Sequence, residues 1–137
     1  MLGVNTKIHE IWEEKMLVTH IYFNGQCKEA IELYVKAFNA TIKSIIQNPE
    51  QCNLVIHAEI LIHDQLLMLN DFGDNDGYSK SGGYQLAVSF KNEDDLKNTY
   101  SILKEGSTTI SPLSSTDYSV CVVRFVDKFD VRWAFWV

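Results

Sequence analysis

His57 and Glu59 stand two residues apart in the strand-like run Leu54–Ile62. A strand has a side-chain period of two, so both project from one face, opposite the apolar face of Leu54, Ile56, Ala58, Ile60 and Ile62. An imidazole beside a carboxylate suits proton transfer near neutral pH. His20 and Tyr22 share one face of an earlier strand by the same spacing. With Asp71, Gln85, Arg132 and Trp136 they make a set of polar groups on apolar walls, as a small-molecule site requires. His57 or Glu59 is then the candidate acid or base. Three alternatives stay open: hydrogen-bonded partners that only stabilise a cleft, solvent-facing strand residues, and a divalent-metal site built from His20, His57 and Glu59.

Other chemistries find less support. Cys27, Cys52 and Cys121 are odd in number and lack CxxC spacing, which fits free thiols in a reducing compartment. Nothing near any of them marks a nucleophile. A net charge of -6 and a pI near 5.1 argue against a nucleic-acid surface, which needs cations to displace phosphate counterions. No apolar run approaches the roughly 18–20 residues of a membrane helix. His9, Glu10, Glu13, Glu14 and Lys15 interrupt what would be the core of a signal peptide. A cytoplasmic protein without nucleic-acid or membrane partners is expected. Hydrophobic residues make up 46% of the chain, enough for a sizeable core.

These residues need elements to hold them. Residues 1–15 read as an accessory segment, with Ile8, Ile11, Trp12 and Lys15 at helical spacing. The main domain is expected over 16–137. Met16–Asn24 alternates, and Asn24-Gly25 marks a turn. Ala30, Ile31, Tyr34, Ala37 and Phe38 then form one apolar helical stripe, which Asn39 ends in a left-handed cap. Thr41–Gln47, Leu54–Ile62 and Gln65–Asn70 read as strands, the last two joined by a turn at His63-Asp64. The turn-rich stretch 72–83 reads as a linker or lid. The order then starts again. Tyr84–Phe90 is a strand. Asn92 to Asp95 cap a helix with Leu96, Thr99, Tyr100 and Leu103 as its stripe. Three further strands follow: Ser107–Ile110 before a loop at Pro112, Tyr118–Val126, and Val131–Val137. The fold class is α+β. Two βαβββ modules, about 16–71 and 84–137, form a curved sheet around a cleft, with the helices on its outer face.

This order resembles the vicinal oxygen chelate superfamily, which includes glyoxalase I, extradiol dioxygenases and the bleomycin and fosfomycin resistance proteins. The segments Ile21–Phe38, Ile56–Glu59, Leu66–Asp71 and Asp127–Trp133 look like its PhnB-like branch, often described as 3-demethylubiquinone methyltransferase-like. Lys128 and Asp130 replace a usual Pro and Gly, and Asp tolerates the left-handed turn conformation. The resemblance implies a homodimer whose second chain completes the cleft. It also implies metal ligands at positions that here are Val18, Gln85 and Ala134. Val and Ala cannot ligate and Gln is a poor ligand, so no metal or other cofactor is expected. A small-molecule-binding protein follows, with Tyr22, Tyr84 and Trp136 able to stack on a flat ligand, a cationic one suiting the acidic chain. The alternative is a metal-dependent lyase, isomerase or dioxygenase. No glycine-rich strand–turn–helix motif suggests S-adenosylmethionine.

Overall fold

The computed structural model describes residues 16–72 and 83–137. The accessory segment expected at 1–15, and 73–82 of the expected linker, lie outside the described residues.

The first module runs β1 (Thr19–Phe23), α1 (Cys27–Phe38), β2 (Thr41–Gln47), β3 (Val55–Ile62) and β4 (Gln65–Asp71). The second repeats it with β5 (Leu86–Ser89), α2 (Glu93–Leu103), β6 (Thr108–Ser114), β7 (Val122–Val126) and β8 (Arg132–Trp136). The class is α+β, and both units are βαβββ modules. Each makes its own four-stranded sheet, in the orders β1-β4-β3-β2 and β5-β8-β7-β6. The first and last strands of each module run parallel, and the other pairs are antiparallel. No helix among the described residues is long and apolar enough to cross a membrane.

Local chemistry accounts for the turns. Gly25 takes a φ of 87°, which opens the chain into α1. Asn39 closes that helix in the left-handed region at φ 53°. His63 and Asp64 both take positive φ in the two-residue hairpin between β3 and β4. Asp130 sits at φ 72°, so the Asp that replaces a usual glycine adopts the conformation glycine would supply. Asn92 caps α2 by accepting from the Asp95 backbone N–H at 2.8 Å.

Three sequence expectations need correction. Ile56 does not share the apolar face of β3. Gln47 pairs with Val55 and Ile46 with His57, so Ile56 is a bulge residue and is 51% exposed. Val55 takes the core position instead. In the second module, the strand expected to stop at Ile110 continues through Pro112 to Ser114. A proline fits there because β6 is an edge strand and its pairing is irregular between Ser111 and Ser114. The strand expected from Tyr118 starts only at Val122, because Thr116 to Ser119 closes a turn with a 2.8 Å backbone hydrogen bond.

The two modules share one core. Ile31, Tyr34 and Phe38 of α1 belong to the same buried cluster as Leu96, Phe125, Trp133 and Phe135. Aromatic rings stitch the halves together: Tyr34 lies 5.5 Å from Trp133, Phe38 5.1 Å from Trp133, and Phe23 6.2 Å from Phe129. Each such pair contributes about 0.5–1.5 kcal/mol beyond its buried area. One face of each sheet is thereby committed to the interior. The other face is open.

Candidate functional site

Alternation decides which residues reach the open faces. In the first sheet, Ile21, Phe23, Ala58, Ile60, Leu67 and Leu69 point into the core. Their neighbours point the other way. His20 lies beside Met68, Met68 beside Glu59, and Tyr22 beside Asn70 across the ladder. The structure therefore gathers four of the expected site residues: His20, Tyr22, His57 and Glu59.

Their contacts are specific. His57 Nε2 hydrogen-bonds Glu59 Oε2 at 2.9 Å. His20 Nε2 hydrogen-bonds Asn70 Oδ1. The His20 ring stacks on Tyr22 at 4.6 Å and meets His57 edge-on at 5.9 Å. Tyr22 in turn stacks on Phe72 at 5.5 Å. Glu59 is only 4% exposed and Asn70 only 7%, although neither faces the helix side. Burying a carboxylate is unfavourable unless hydrogen bonds compensate. Here the compensation comes from an imidazole that can itself carry a proton. Chemically the pair can accept or donate a proton beside the stacked rings of His20 and Tyr22.

Gln85, Arg132 and Trp136 belong to the open side of the second sheet. Arg132, Ala134 and Trp136 alternate with the core residues Trp133 and Phe135 along β8. Arg124 stands directly opposite Ala134 on β7, and its Nε donates to Gln85 Oε1 at 3.3 Å. Gln85 and Trp136 also line a cavity of about 490 Å³ where β5 passes Thr19 and Leu66 of the first module. Among the described residues, no hydrogen bond, ion pair or ring contact joins the His20–Tyr22–His57–Glu59 set to Gln85, Arg132 or Trp136.

Asp71 goes elsewhere. It shares the face of Leu67 and Leu69, turned toward α1, and is 6% exposed. Its Oδ1 accepts from the Cys27 N–H at 3.0 Å and its Oδ2 from the Val55 N–H at 2.9 Å. Gln26, the residue before α1, makes no side-chain cap, so a carboxylate from β4 satisfies the helix start instead. Asp71 correspondingly raises the Cys27 thiol, which burial first and that carboxylate second push up to about 12.

The positions where superfamily members hold a metal do not fit one here. Val18 and Ala134 offer no donor atom, and Gln85 is engaged by a guanidinium. Among the described residues, no three His, Cys, Asp or Glu side chains converge as a ligand set.

Residues 15–135 match the family model described as 3-demethylubiquinone-9 3-methyltransferase. The chain belongs to that family. Its fold is that of the vicinal oxygen chelate superfamily, as solved structures agree. The PA1353 protein of Pseudomonas aeruginosa is 23% identical at a TM-score of 0.80, over 89% of this chain and 96% of that one. A PhnB protein of Bacillus cereus is 24% identical at a TM-score of 0.76, over 89% and 98%. The fosfomycin resistance protein FosX of Listeria monocytogenes is 10% identical at a TM-score of 0.64, over 90% and 92%. No curated protein matches the sequence. At these identities the structural likenesses speak to the fold alone.

Sequence reasoning missed Asn70, Phe72 and Arg124 as neighbours of the site. The signal for two of them was present. Period two along β4 puts Asn70 opposite Leu69, and along β7 it puts Arg124 opposite Val123 and Phe125. The same rule, followed from Leu67 through Leu69, assigns Asp71 to the core face.

Proposed function

We propose that this family member binds a small organic molecule without a divalent metal. The open face of the first sheet forms one wall of the cleft. The open face of the second sheet, contributed by a second copy of the chain, forms the other. One observation carries this reading: a 4%-exposed glutamate hydrogen-bonded to a histidine on the sheet face that the core does not use. Packing gives no reason for a buried carboxylate there, whereas a ligand that exchanges a proton or donates a hydrogen bond does. The aromatic walls of Tyr22 and Phe72 suit a flat ligand. A second copy is supported by the separation of the two polar sets within one chain, and by Ile42, Ile45 and Ile46, which are exposed on β2.

The family description names a methyl transfer. The turn before α1 contains a single glycine, and the first N–H of α1 is already taken by Asp71. That helix start is therefore not open to a cofactor's anionic group. S-adenosylmethionine belongs in the binding panel for this reason, with no stabilisation expected.

The test is the thermal midpoint of EDTA-stripped protein with small-molecule panels and, separately, with Mn²⁺, Fe²⁺, Co²⁺, Ni²⁺ or Zn²⁺. A ligand at about 100 times its Kd stabilises by roughly 2.7 kcal/mol, several degrees for a domain of this size. The expected result is a shift with an organic ligand that His57→Ala abolishes, and no shift with metals. A metal-selective shift lost in His57→Ala would overturn the metal-free reading. Sedimentation of the same sample tests the dimer.

A further inference from the structure

The chain contains only two arginines, Arg124 and Arg132. The fold brings both to the open face of the second sheet. Arg132 and Ala134 are two apart on β8, and Arg124 is directly across from Ala134 on β7. The two arginines are thus diagonal neighbours, about 7–8 Å apart at the backbone. On the other side of Ala134 lies Ala87 of β5, and Trp136 follows two residues on. The centre of this face is therefore a floor of two small residues, Ala87 and Ala134. A guanidinium stands at two of its sides and an indole at a third.

One donor of Arg132 lacks a partner among the described residues. Its Nε is out of solvent and has no hydrogen-bond partner. Buried donors are almost always paired, and an unpaired one carries a cost of about 1–3 kcal/mol. Arg124 uses its Nε on the neutral acceptor Gln85. Neither arginine has a carboxylate partner among the described residues. Two guanidinium groups without a counter-charge among the described residues, one with a buried donor left over, are built to receive an anion. Their planar forks match a carboxylate in particular.

Resting on the binding function proposed above, we propose that this face selects a flat organic anion, an aromatic carboxylate. The carboxylate pairs with Arg132 and Arg124, and the ring lies over Ala134 against Trp136. Trp136 is 39% exposed, so its face is available for stacking. The net charge of -6 points toward cationic ligands, but it is an average over the chain. Both arginines lie on this one face, and local charge governs recognition.

The experiment uses the full chain with 2-naphthoate and its uncharged analogue 2-naphthamide. With two arginines, the Nε–Hε region of an ¹⁵N spectrum holds two signals, assigned by Arg124→Gln and Arg132→Gln. Naphthoate is expected to bind at least ten-fold more tightly than naphthamide and to shift the Arg132 signal. Arg124→Gln, at an exposed position, is expected to weaken naphthoate several-fold and leave naphthamide unchanged. Equal binding of the two compounds, or an Arg132 signal that naphthoate does not move, overturns the inference. If in that case His57→Ala still abolishes naphthamide binding, the cleft reading survives and only the anion assignment falls. An Arg132 signal that moves in Glu59→Gln without any added compound also overturns it, because the counter-charge would then be the protein's own carboxylate.

Discussion

Asp127 is where replacing one atom should cost most. It is 4% exposed, and four donors converge on its carboxylate. Oδ1 accepts from the Phe129 and Val131 backbone N–H groups at 2.9 and 3.0 Å. Oδ2 accepts from Trp133 Nε1 at 2.9 Å and from the Tyr34 hydroxyl at 2.7 Å. Tyr34 belongs to the first module, so this atom ties the two halves together. Burial pushes the Asp127 carboxyl up, and the four donors pull it partly back. Asp127→Asn keeps Oδ1 but sets an NH₂ against two donors. Each buried donor left unmatched costs about 1–3 kcal/mol, and relief of the buried charge returns part of it. A net loss of about 2–4 kcal/mol is expected. Tyr34→Phe removes one donor and leaves three, for a loss of about 1–2 kcal/mol. In the double variant one of the opposed donors is already gone. Its loss should fall short of the sum by about 1 kcal/mol or more. Urea unfolding followed by tryptophan fluorescence measures all three, with the m-value unchanged if the fold is intact. An Asp127→Asn loss under about 0.5 kcal/mol, or strict additivity, would refute this account of the hub.

Three further outcomes follow from the buried groups elsewhere in the fold. A thiol reagent at about pH 8 should label exposed Cys52 in the native protein and spare buried Cys27 and Cys121, whose thiols burial raises. An unfolded thiol ionises near 9.0 while folded Cys27 keeps its proton to about 12. Its contribution is thus fully present below the lower value and lost as pH rises toward the upper one. Cys27→Ala should flatten that alkaline decline in unfolding free energy, and a parallel decline would contradict the assignment. Asp71→Asn leaves one acceptor for the Cys27 and Val55 N–H groups. It should lower stability by about 1–2 kcal/mol and leave ligand affinity unchanged, and an unaltered melting midpoint would show that the helix start does not depend on it.

Elements defined by local chemistry were readable from the sequence. The α1 stripe, its Asn39 cap, the His63-Asp64 hairpin and the Asn92 cap each depend on residues a few positions apart. Thr41–Gln47 coincides with β2 for the same reason. What the sequence left hidden depends on partners far along the chain. The bulge at Ile56 follows from how β3 pairs with β2, and the passage of β6 through Pro112 follows from its place at a sheet edge. Asp71 reads in the sequence as one more polar group able to line a pocket. Its true partner is the start of a helix 44 residues away. His20 with Tyr22, and His57 with Glu59, were legible as two pairs because period two within a strand needs no tertiary information; that β4 brings the pairs onto one face was not. The convergence of Arg124 and Arg132 was not, since they sit on different strands.

The shared interior also limits how this chain can be divided. A break between β4 and β5 would leave Tyr34 and Phe38 bare on one fragment, and Trp133 and Phe135 bare on the other. Neither half could shed that surface by folding harder. Each could do so by finding its complement, and the two bare faces are already shaped to each other. Co-expressed halves should therefore reconstitute the whole. A reporter split at this junction would report proximity from the protein's own interior, with no added association module.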